Sequence, residues 1–429
     1  MTPALQIDVQ IGDAVMRQTI RLLVALVLSG LGGGGAHAAD ADLPAYSPYT
    51  YDLTLRAAEI YREIAADGGW PMLPAEAAGL KLRASGPAVA ALKQRLIISG
   101  DLAAEAAADD LFDAATEEGL KRFQSRHGLS LTGSVGKLTL KALTVPVEKR
   151  IVQIDATLAR LAGDGFVFSG RYVVVNIPGA TLEAVDGYRV ARRHTAVVGR
   201  KDRQSPTLAT VITAVNLLPT WTAPLSIVKK DIMPKVAADP GFLARSNMRV
   251  LGAGGVEIDP SLIDWSNRSA VNFSIRQDPG LTNALGVVRF DMPNKHAVFI
   301  HDTPKKELFR SDVRFHSSGC ARIADAQDLA AWLLDDTPWT REAIQAQIDS
   351  GQRKDVKLQK PVPVAWVYLT GWGAGDGTVQ FRDDVYGLDT PAGIEATTIG
   401  PASFATMASA RGINLPVARP KQISWADSQ

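Results

Sequence analysis

The sequence predicts an α+β multidomain chain: a mainly antiparallel β domain with an inserted subdomain, preceded by a helical scaffold and a small three-helix module. Three observations lead there. Of 429 residues, 46% are hydrophobic and 21% charged, a balance that buries cores and excludes disorder or coiled coil. Apolar residues recur at helical spacing up to Leu161 and in short strand-like runs from Arg171 onward. The strand-like pattern then lapses between Pro224 and Leu285, more than fifty residues, too long for a loop in a compact domain and therefore a subdomain or lid.

Taken in order, Arg17 and Arg21 precede the apolar run Leu22 to Leu31, and Ala36-His37-Ala38 follows as an A-x-A cleavage pattern. Residues 1–38 read as a secretory signal region, with Met16 a tidier start than Met1. An apolar run of about ten residues is short of the roughly 20 that span a bilayer, so no stable transmembrane anchor is expected. Residues 39–84 form an alanine-rich helical scaffold with Leu55, Ile60 and Ile64 on its pattern. Residues 85–145 carry three amphipathic segments through Val89, Leu92 and Leu96, then Leu120 and Phe123, then Val135, Leu138 and Leu143. Residues 146–170 hold a linking helix with Ile151, Ile154, Leu158 and Leu161 on one face.

In the β domain, 171–388, strands are expected at Tyr172–Ile177, Arg189–Val198, Leu208–Val215, Val287–Phe290, Ala297–Ile300 and Val362–Thr370. The insertion is 224–285, with helical pieces around Ile227–Val236 and Pro260–Trp265. Helices follow from Asp325, with Asp328 in a capping-box variant, and over Thr340–Ile348. Residues 389–429 read as a poorly ordered tail.

Charge and cysteine usage narrow the chemistry. A formal net charge of +1 gives no electrostatic reason to bind nucleic acid. The single cysteine, Cys320, excludes an intrachain disulfide framework and multi-cysteine metal sites. A lone thiol in an oxidising compartment is either a small buried hydrophobe or a reactive group. A nucleophilic thiol needs a base, donors for the developing oxyanion and room for a carbonyl. His301 closes a strand nineteen positions before Cys320, room for one connection and a return strand. The backbone amides of Ser318, Gly319 and Cys320 are close enough to form an oxyanion hole, and Gly319 lacks a Cβ that would obstruct the acyl group. His316 competes with His301 as base; in an extended segment it shares a face with Ser318 and Cys320, so it and Ser317 are candidates for substrate contact.

Two resemblances follow from these residues. The cues Phe112-Asp113, Thr116, Phe123-Gln124, Gly128-Leu129, Thr132-Gly133 and Val135-Gly136 resemble a type 1 peptidoglycan-binding module, with Asp113 and Thr132 departing from its usual glycine and aspartate. His301-Asp302-Thr303-Pro304 and Ser317-Ser318-Gly319-Cys320-Ala321-Arg322 resemble the catalytic domain of L,D-transpeptidases, specifically the large periplasmic subgroup. Arg171–Pro178, Pro219–Pro224 and Phe381–Leu388 resemble that subgroup's further marks. Ser318 stands where most of the wider family has histidine, and Asp302 where it has glycine, as in the large subgroup.

The resemblance implies Cys320 as nucleophile, His301 as base oriented by the Asp302 carbonyl, and the three amides as oxyanion hole. It implies Arg322 as a stem-peptide carboxylate partner, Trp221 and Phe299 as groove walls, and 224–285 as a substrate-capping insertion. The implied reaction joins meso-diaminopimelate residues of two peptidoglycan stems (3-3 cross-links) through a Cys320 thioester, releasing D-alanine, with no metal or cofactor and with carbapenems as acylating agents. Stem peptides are the implied partners, glycan strands a possible further one, and the periplasm, against the cell wall, the implied location. The acceptor is open: water would make an L,D-carboxypeptidase, and a protein lysine or a free D-amino acid are the other choices. A non-enzymatic peptidoglycan-binding scaffold is the rival from another class, and the local signature of papain-like proteases is absent.

Overall fold

The computed structural model describes residues 43–400, except 268 and 270. The expected signal region and residues 401–429 of the expected tail lie outside the described residues. Among the described residues no helix is long and apolar enough to cross a membrane.

The helix Thr50–Ala66 buries Thr50, Thr54, Ala57, Ala58 and Tyr61, one stripe at helical spacing. It packs on the linking helix Val147–Ala162, whose stripe includes Ile154 and Thr157. The module consists of helices Pro87–Ile98, Ala114–Arg126 and Lys137–Leu143 around Val89, Leu92, Leu96, Phe112, Leu120 and Phe123. Asp113 caps the second helix by accepting from the Thr116 amide at 2.8 Å and its hydroxyl at 2.7 Å. The helix therefore begins at Ala114, ahead of Thr116. Buried Gln124 closes the module: its amide donates to Thr132, Ser134 and Thr139 and accepts from the Gly133 N–H. Thr132 thus supplies an oxygen where the resembled pattern has aspartate.

Buried arginines fasten the module to the rest. Arg126 donates both Nε (2.7 Å) and Nη2 (2.5 Å) to Asp101, while its Nη1 reaches the Tyr61 hydroxyl and the Val379 carbonyl, each at 3.2 Å. Arg95 lies over the Trp70 ring at 3.6 Å.

The β domain opens with β1 (Arg171–Asn176), β2 (Thr181–Asp186), β3 (Arg189–Gly199) and β4 (Leu208–Leu217). The insertion adds β5 (Trp221–Thr222), β6 (Met248–Leu251), β7 (Glu257–Ile258) and β8 (Ser274–Gln277), a separate four-stranded sheet. Then come β9 (Val288–Asp291), β10 (Ile300–His301), β11 (Phe315–Ser317), β12 (Ala321–Ile323) and β13 (Lys354–Val367). The hairpin β14 (Gly371–Gly373) and β15 (Val379–Phe381) completes the strands. The main sheet runs β11-β3-β12-β10-β9-β4-β13-β1-β2, and β2 also pairs with β3. Every strand but β11 therefore belongs to a closed circuit of pairings, a barrel-like sheet without a free edge there. Most pairs are antiparallel; β1–β13, β10–β12 and β11–β3 are parallel.

Strand residues alternate between two apolar clusters. Val173, Val175, Ile212, Phe290, Ile300 and Trp366 face one side, shared with the helices Ala326–Leu333 and Arg341–Asp349. Tyr172, Val174, Ala209, Val211 and Val367 face the other, under Tyr46, Phe166 and Trp372. β1 is buried on both faces, hence its continuous run Tyr-Val-Val-Val.

Four expectations change. The insertion is more than polar loop with helical pieces: a π-helical turn Val228–Ile232 leads into the helix Met233–Ala238, and both pack with β6 and β8 on a core of Val228, Ile232, Met233, Val236, Val250 and Ile275. Its strands are too short for alternation to register in sequence. β13 starts at Lys354, eight residues before the expected strand, because Val356 and Leu358 point inward between lysines, and a register shift between Lys357 and Val362 passes Pro361. Asp325 sits at φ 51° and makes no side-chain cap, so no capping box forms. The expected tail begins with a packed helix, Pro391–Thr397, held by Arg160 through Asp389 (2.9 Å), Thr397 (2.7 Å) and the Leu388 carbonyl (2.6 Å).

Removing one member of a buried ion pair strands the other charge, which costs about 3–5 kcal/mol. Asp101→Ala should lower stability by that order in chemical denaturation, far more than removal of the exposed Asp155 facing Arg62.

Candidate active site

The segments that carry His301 and Cys320 lie side by side because β10 and β12 run parallel, Ile300 opposite Ala321 and His301 opposite Arg322. The connection is not a hairpin return. From Asp302 the chain passes the 3-10 turn Lys306–Arg310 and β11, which pairs with β3, before β12 enters between β3 and β10. Side chains alternate, so Ile300 and Ala321 enter the apolar core, while His301 and Arg322 share the other face. Cys320 lies two residues before Arg322, on the diagonal from His301 across the β10–β12 pair. On the other flank β9 places Arg289 opposite His301. The imidazole thus stands between two guanidiniums in a cross-strand row.

His301 is buried, and its Nδ1 lies 2.5 Å from the Asp302 carbonyl. A carbonyl only accepts, so Nδ1 carries the proton and Nε2 is left as the basic nitrogen. Burial first, then the nearby Arg322 charge, push the imidazole down to about 3, against the neighbouring Asp302 and Leu285 carbonyls, which favour protonation. Burial also pushes the half-buried Cys320 thiol up, despite the Phe299 amide and Arg322, which favour the thiolate. The resting pair is therefore neutral thiol and neutral imidazole.

The turn that carries Cys320 is braced from below. Ser317 is buried; its hydroxyl donates to the Cys320 carbonyl at 2.6 Å and accepts from the Gly319 N–H at 3.1 Å. This assigns Ser317 to the turn and not to substrate contact, and it occupies one of the three amides expected in the oxyanion hole. Gly319 has φ 115°, and a Cβ there would sit 3.3 Å from Val298. That turn ends the strand at Ser317, so the alternation expected to carry His316, Ser318 and Cys320 on one face is broken. His316 is exposed, its Nε2 2.9 Å from the Val313 carbonyl, away from the row on β9, β10 and β12.

Other sequence-predicted residues divide similarly. Phe299 lies half-buried beside the row, under the Arg289 guanidinium at 4.9 Å. Arg322 makes no ion pair among the described residues, and its Nε is buried without a partner. Trp221 pairs through β5 with β8 and packs on the core of the insertion. The Asp302 carboxylate accepts from the Val287 N–H at 3.1 Å and pairs with Lys306, tying the insertion's return to β10.

Sequence reasoning missed Arg289 and a supporting chain. Asp384 accepts from the Tyr368 hydroxyl (2.7 Å), which accepts from the Tyr386 N–H (2.9 Å). The Tyr386 hydroxyl donates to the Gly199 carbonyl (2.6 Å), and the Ser205 hydroxyl joins the Gly199 N–H (2.9 Å) to the Gly319 carbonyl (2.7 Å). The segment Phe381–Leu388, noticed only as a motif, therefore supports the turn that carries Cys320. Arg203 links that turn to the insertion: it pairs with Asp231 of the π-helical turn and donates to the Ser318 hydroxyl at 2.9 Å. Among the described residues no cluster of three or more His, Cys, Asp or Glu is placed to hold a metal ion.

Comparison with known proteins places this geometry. Residues 170–342 match the family model described as "L,D-transpeptidase catalytic domain", and residues 85–143 match "Putative peptidoglycan binding domain". The chain therefore carries an L,D-transpeptidase catalytic domain together with a peptidoglycan-binding module. A curated relative from Haemophilus influenzae, "Putative L,D-transpeptidase", is 31% identical over 218 residues, 51% of this chain. The match spans 44% of that relative, less than half its length. Among solved structures, an L,D-transpeptidase from Xylanimonas cellulosilytica (residues 123–326) is 17% identical, covering 69% of this chain and 99% of its own, with a TM-score of 0.22. One from Stackebrandtia nassauensis is 14% identical, covering 69% and 96%, with a TM-score of 0.25. At those scores the superpositions carry no argument, and the architecture rests on the strand pairings above.

Two outcomes test the site. Gly319→Ala forces a side chain into a backbone region worth about 1–3 kcal/mol of strain; reduced stability and a slower alkylation of Cys320 are expected, measured by denaturation and by mass spectrometry with iodoacetamide. Because the folded pKa of His301 is depressed, its contribution is present above the unfolded value near 6.5 and is lost as pH falls toward about 3. His301→Gln should remove up to about 1.4 kcal/mol per pH unit of that acid sensitivity, seen as a shallower loss of stability below pH 6.5 than in the wild type.

Proposed function

We propose that this chain is a peptidoglycan L,D-transpeptidase that forms 3-3 cross-links through a cysteine thioester. The observation that carries the reading is the parallel placement of His301, its Nδ1 held by a main-chain carbonyl, against Cys320 at the head of β12. The match to the L,D-transpeptidase catalytic domain supports the same chemistry.

In the proposed first half-reaction the Cys320 Sγ attacks the carbonyl of meso-diaminopimelate in a donor tetrapeptide stem. His301 Nε2 takes the thiol proton as the S–C bond forms, and delivers it to the amine of D-alanine as the C–N bond breaks. The resting pair is neutral, so proton transfer accompanies attack and does not precede it. A substrate carboxylate seated against Arg322 or Arg289 would offset the positive field on the imidazole and raise its basicity as the substrate binds. With the Gly319 N–H engaged by Ser317, the amides of Ser318 and Cys320 are the donors assigned to the oxyanion. In the second half-reaction the side-chain amine of another stem's diaminopimelate attacks the thioester, an amide forms and the thiol is restored. Phe299 walls the groove, and the insertion 224–285 covers the substrate.

The module at 85–145 is assigned to holding the enzyme at the wall, and the segment 1–38 to export into the periplasm. Acylation of Cys320 by carbapenems belongs to the same reading, because the thiol opens a strained lactam as it opens the peptide carbonyl.

The test is mass spectrometry of the mature chain and its Cys320→Ala variant incubated with disaccharide-tetrapeptide. A dimer lighter by one D-alanine, formed only by the wild type, is expected. Tripeptide without dimer would replace transpeptidation by L,D-carboxypeptidase activity, and dimer formation by Cys320→Ala would end the thioester mechanism.

A further inference from the structure

A cavity of about 260 Å³ lies where the helical module meets the β domain. Its wall takes His127 and Lys141 from the module, Arg150 from the linking helix, Arg314 from the approach to β11, and Arg382 from just after β15. Each of the three arginines is bonded only to neutral groups. Arg150 donates to Gln153 and to the Ala142 carbonyl, both at 2.9 Å. Arg314 donates to the carbonyls of Ser311 (2.9 Å) and Gly179 (3.3 Å), and Arg382 to those of Arg126 (2.9 Å) and Phe381 (2.6 Å). None of the three makes an ion pair among the described residues, and the Nε of each is buried without a partner. Burial pushes Arg150 and Arg382 down to about 10.

The carboxylates in the same wall are engaged. Asp383 pairs with Lys141 at 2.5 Å, and Asp312 accepts from the Ser130 hydroxyl at 2.5 Å. His127 is buried with its Nδ1 2.7 Å from the Phe123 carbonyl, so the proton sits on Nδ1 and Nε2 is an unpartnered acceptor. Asp312 acts on Arg314 and Asp383 on Arg150 as nearby negative charges, but Lys141 and the three arginines outnumber these two carboxylates in the wall, and a fitting anion offsets that excess.

We propose that this cavity binds the terminal carboxylate of a short peptide, the arginines taking the carboxylate. Guanidinium forks suit carboxylate geometry. The volume lies just below the usual ~300–1,000 Å³ of small-molecule sites and admits one or two terminal residues, not a disaccharide. The identity of the peptide as a peptidoglycan stem rests on the function proposed above. The cavity also borders the catalytic support: Phe315 in its wall packs edge-on against Tyr386, whose hydroxyl holds Gly199 beside the nucleophile turn. An occupant is thereby placed to act as a second stem, apart from the one at Cys320.

The experiment is calorimetric titration of the full-length Cys320→Ala chain with the free tetrapeptide stem and with its C-terminal carboxamide. Two classes of site are expected for the acid. Arg314→Gln should weaken one class at least tenfold while Arg322→Gln weakens the other, with melting temperatures checked for each variant. The carboxamide should bind the Arg314-dependent class at least tenfold more weakly, a comparison that needs no further substitution. A single class insensitive to Arg314→Gln, equal binding of acid and carboxamide, or displacement by equimolar inorganic phosphate would overturn the proposal. Binding to Cys320→Ala does not require turnover. An Arg314-dependent site in a chain whose wild type transfers no acyl group would therefore overturn the functional reading alone, and cross-linking without that site would overturn this inference alone.

Discussion

The parallel pairing of β10 with β12 is the constraint on which the rest of the site depends. The strands that carry two residues nineteen positions apart become neighbours because the intervening chain pairs as β11 with β3 and then re-enters between β3 and β10. The register sets which side chains share a face. It puts Ile300 and Ala321 in the core and gives His301, Arg322 and Arg289 to the same cross-strand row. A one-residue slip would send the imidazole into the apolar cluster. The closed circuit of strand pairings resists such a slip, because β12 is held on both sides.

Within that frame the electrostatics are opposed to a preformed ion pair. Burial disfavours both imidazolium and thiolate; Arg322 favours the thiolate, while Arg322 and Arg289 both disfavour the imidazolium. Burial thus favours the neutral form of both the thiol and the imidazole. Ser317, Ser205 and Tyr386 fix the backbone around Gly319, so the thiol's position is set by the scaffold and not by the side chain's own preference.

The module is joined to this scaffold by buried charge and not by a flexible linker. Arg126 bridges Asp101, Tyr61 and Val379, which belong to the module, the first helix and β15, and Arg382 returns from the β domain to the Arg126 carbonyl. These contacts leave the arginine-walled cavity at the seam. They also make the distance between a ligand held there and Cys320 a fixed property of the fold.

By itself the sequence determined the parts whose signals are local. Helical spacing located the module and the linking helix, and the doubly buried run Tyr172–Val175 located a central strand. The motifs around His301 and Cys320 carried the resemblance to the L,D-transpeptidase catalytic domain that residues 170–342 match. The tertiary structure decided what depends on register, turn shape and remote partners. Arg289 carries no local mark, yet β9 pairing puts it beside His301. His316 lies closer in sequence to Cys320 than His301 does, but the positive-φ turn at Gly319 separates it from the row. Ser317 proved a brace because its hydroxyl closes on the same turn. The small sheet of the insertion and the packed helix after Leu388 were illegible because each is stabilised by contacts far away in sequence: Ile275 on Met233, and Arg160 on Thr397. Local pattern reports which residues prefer to be buried; only the closed sheet decides which neighbours they are buried against.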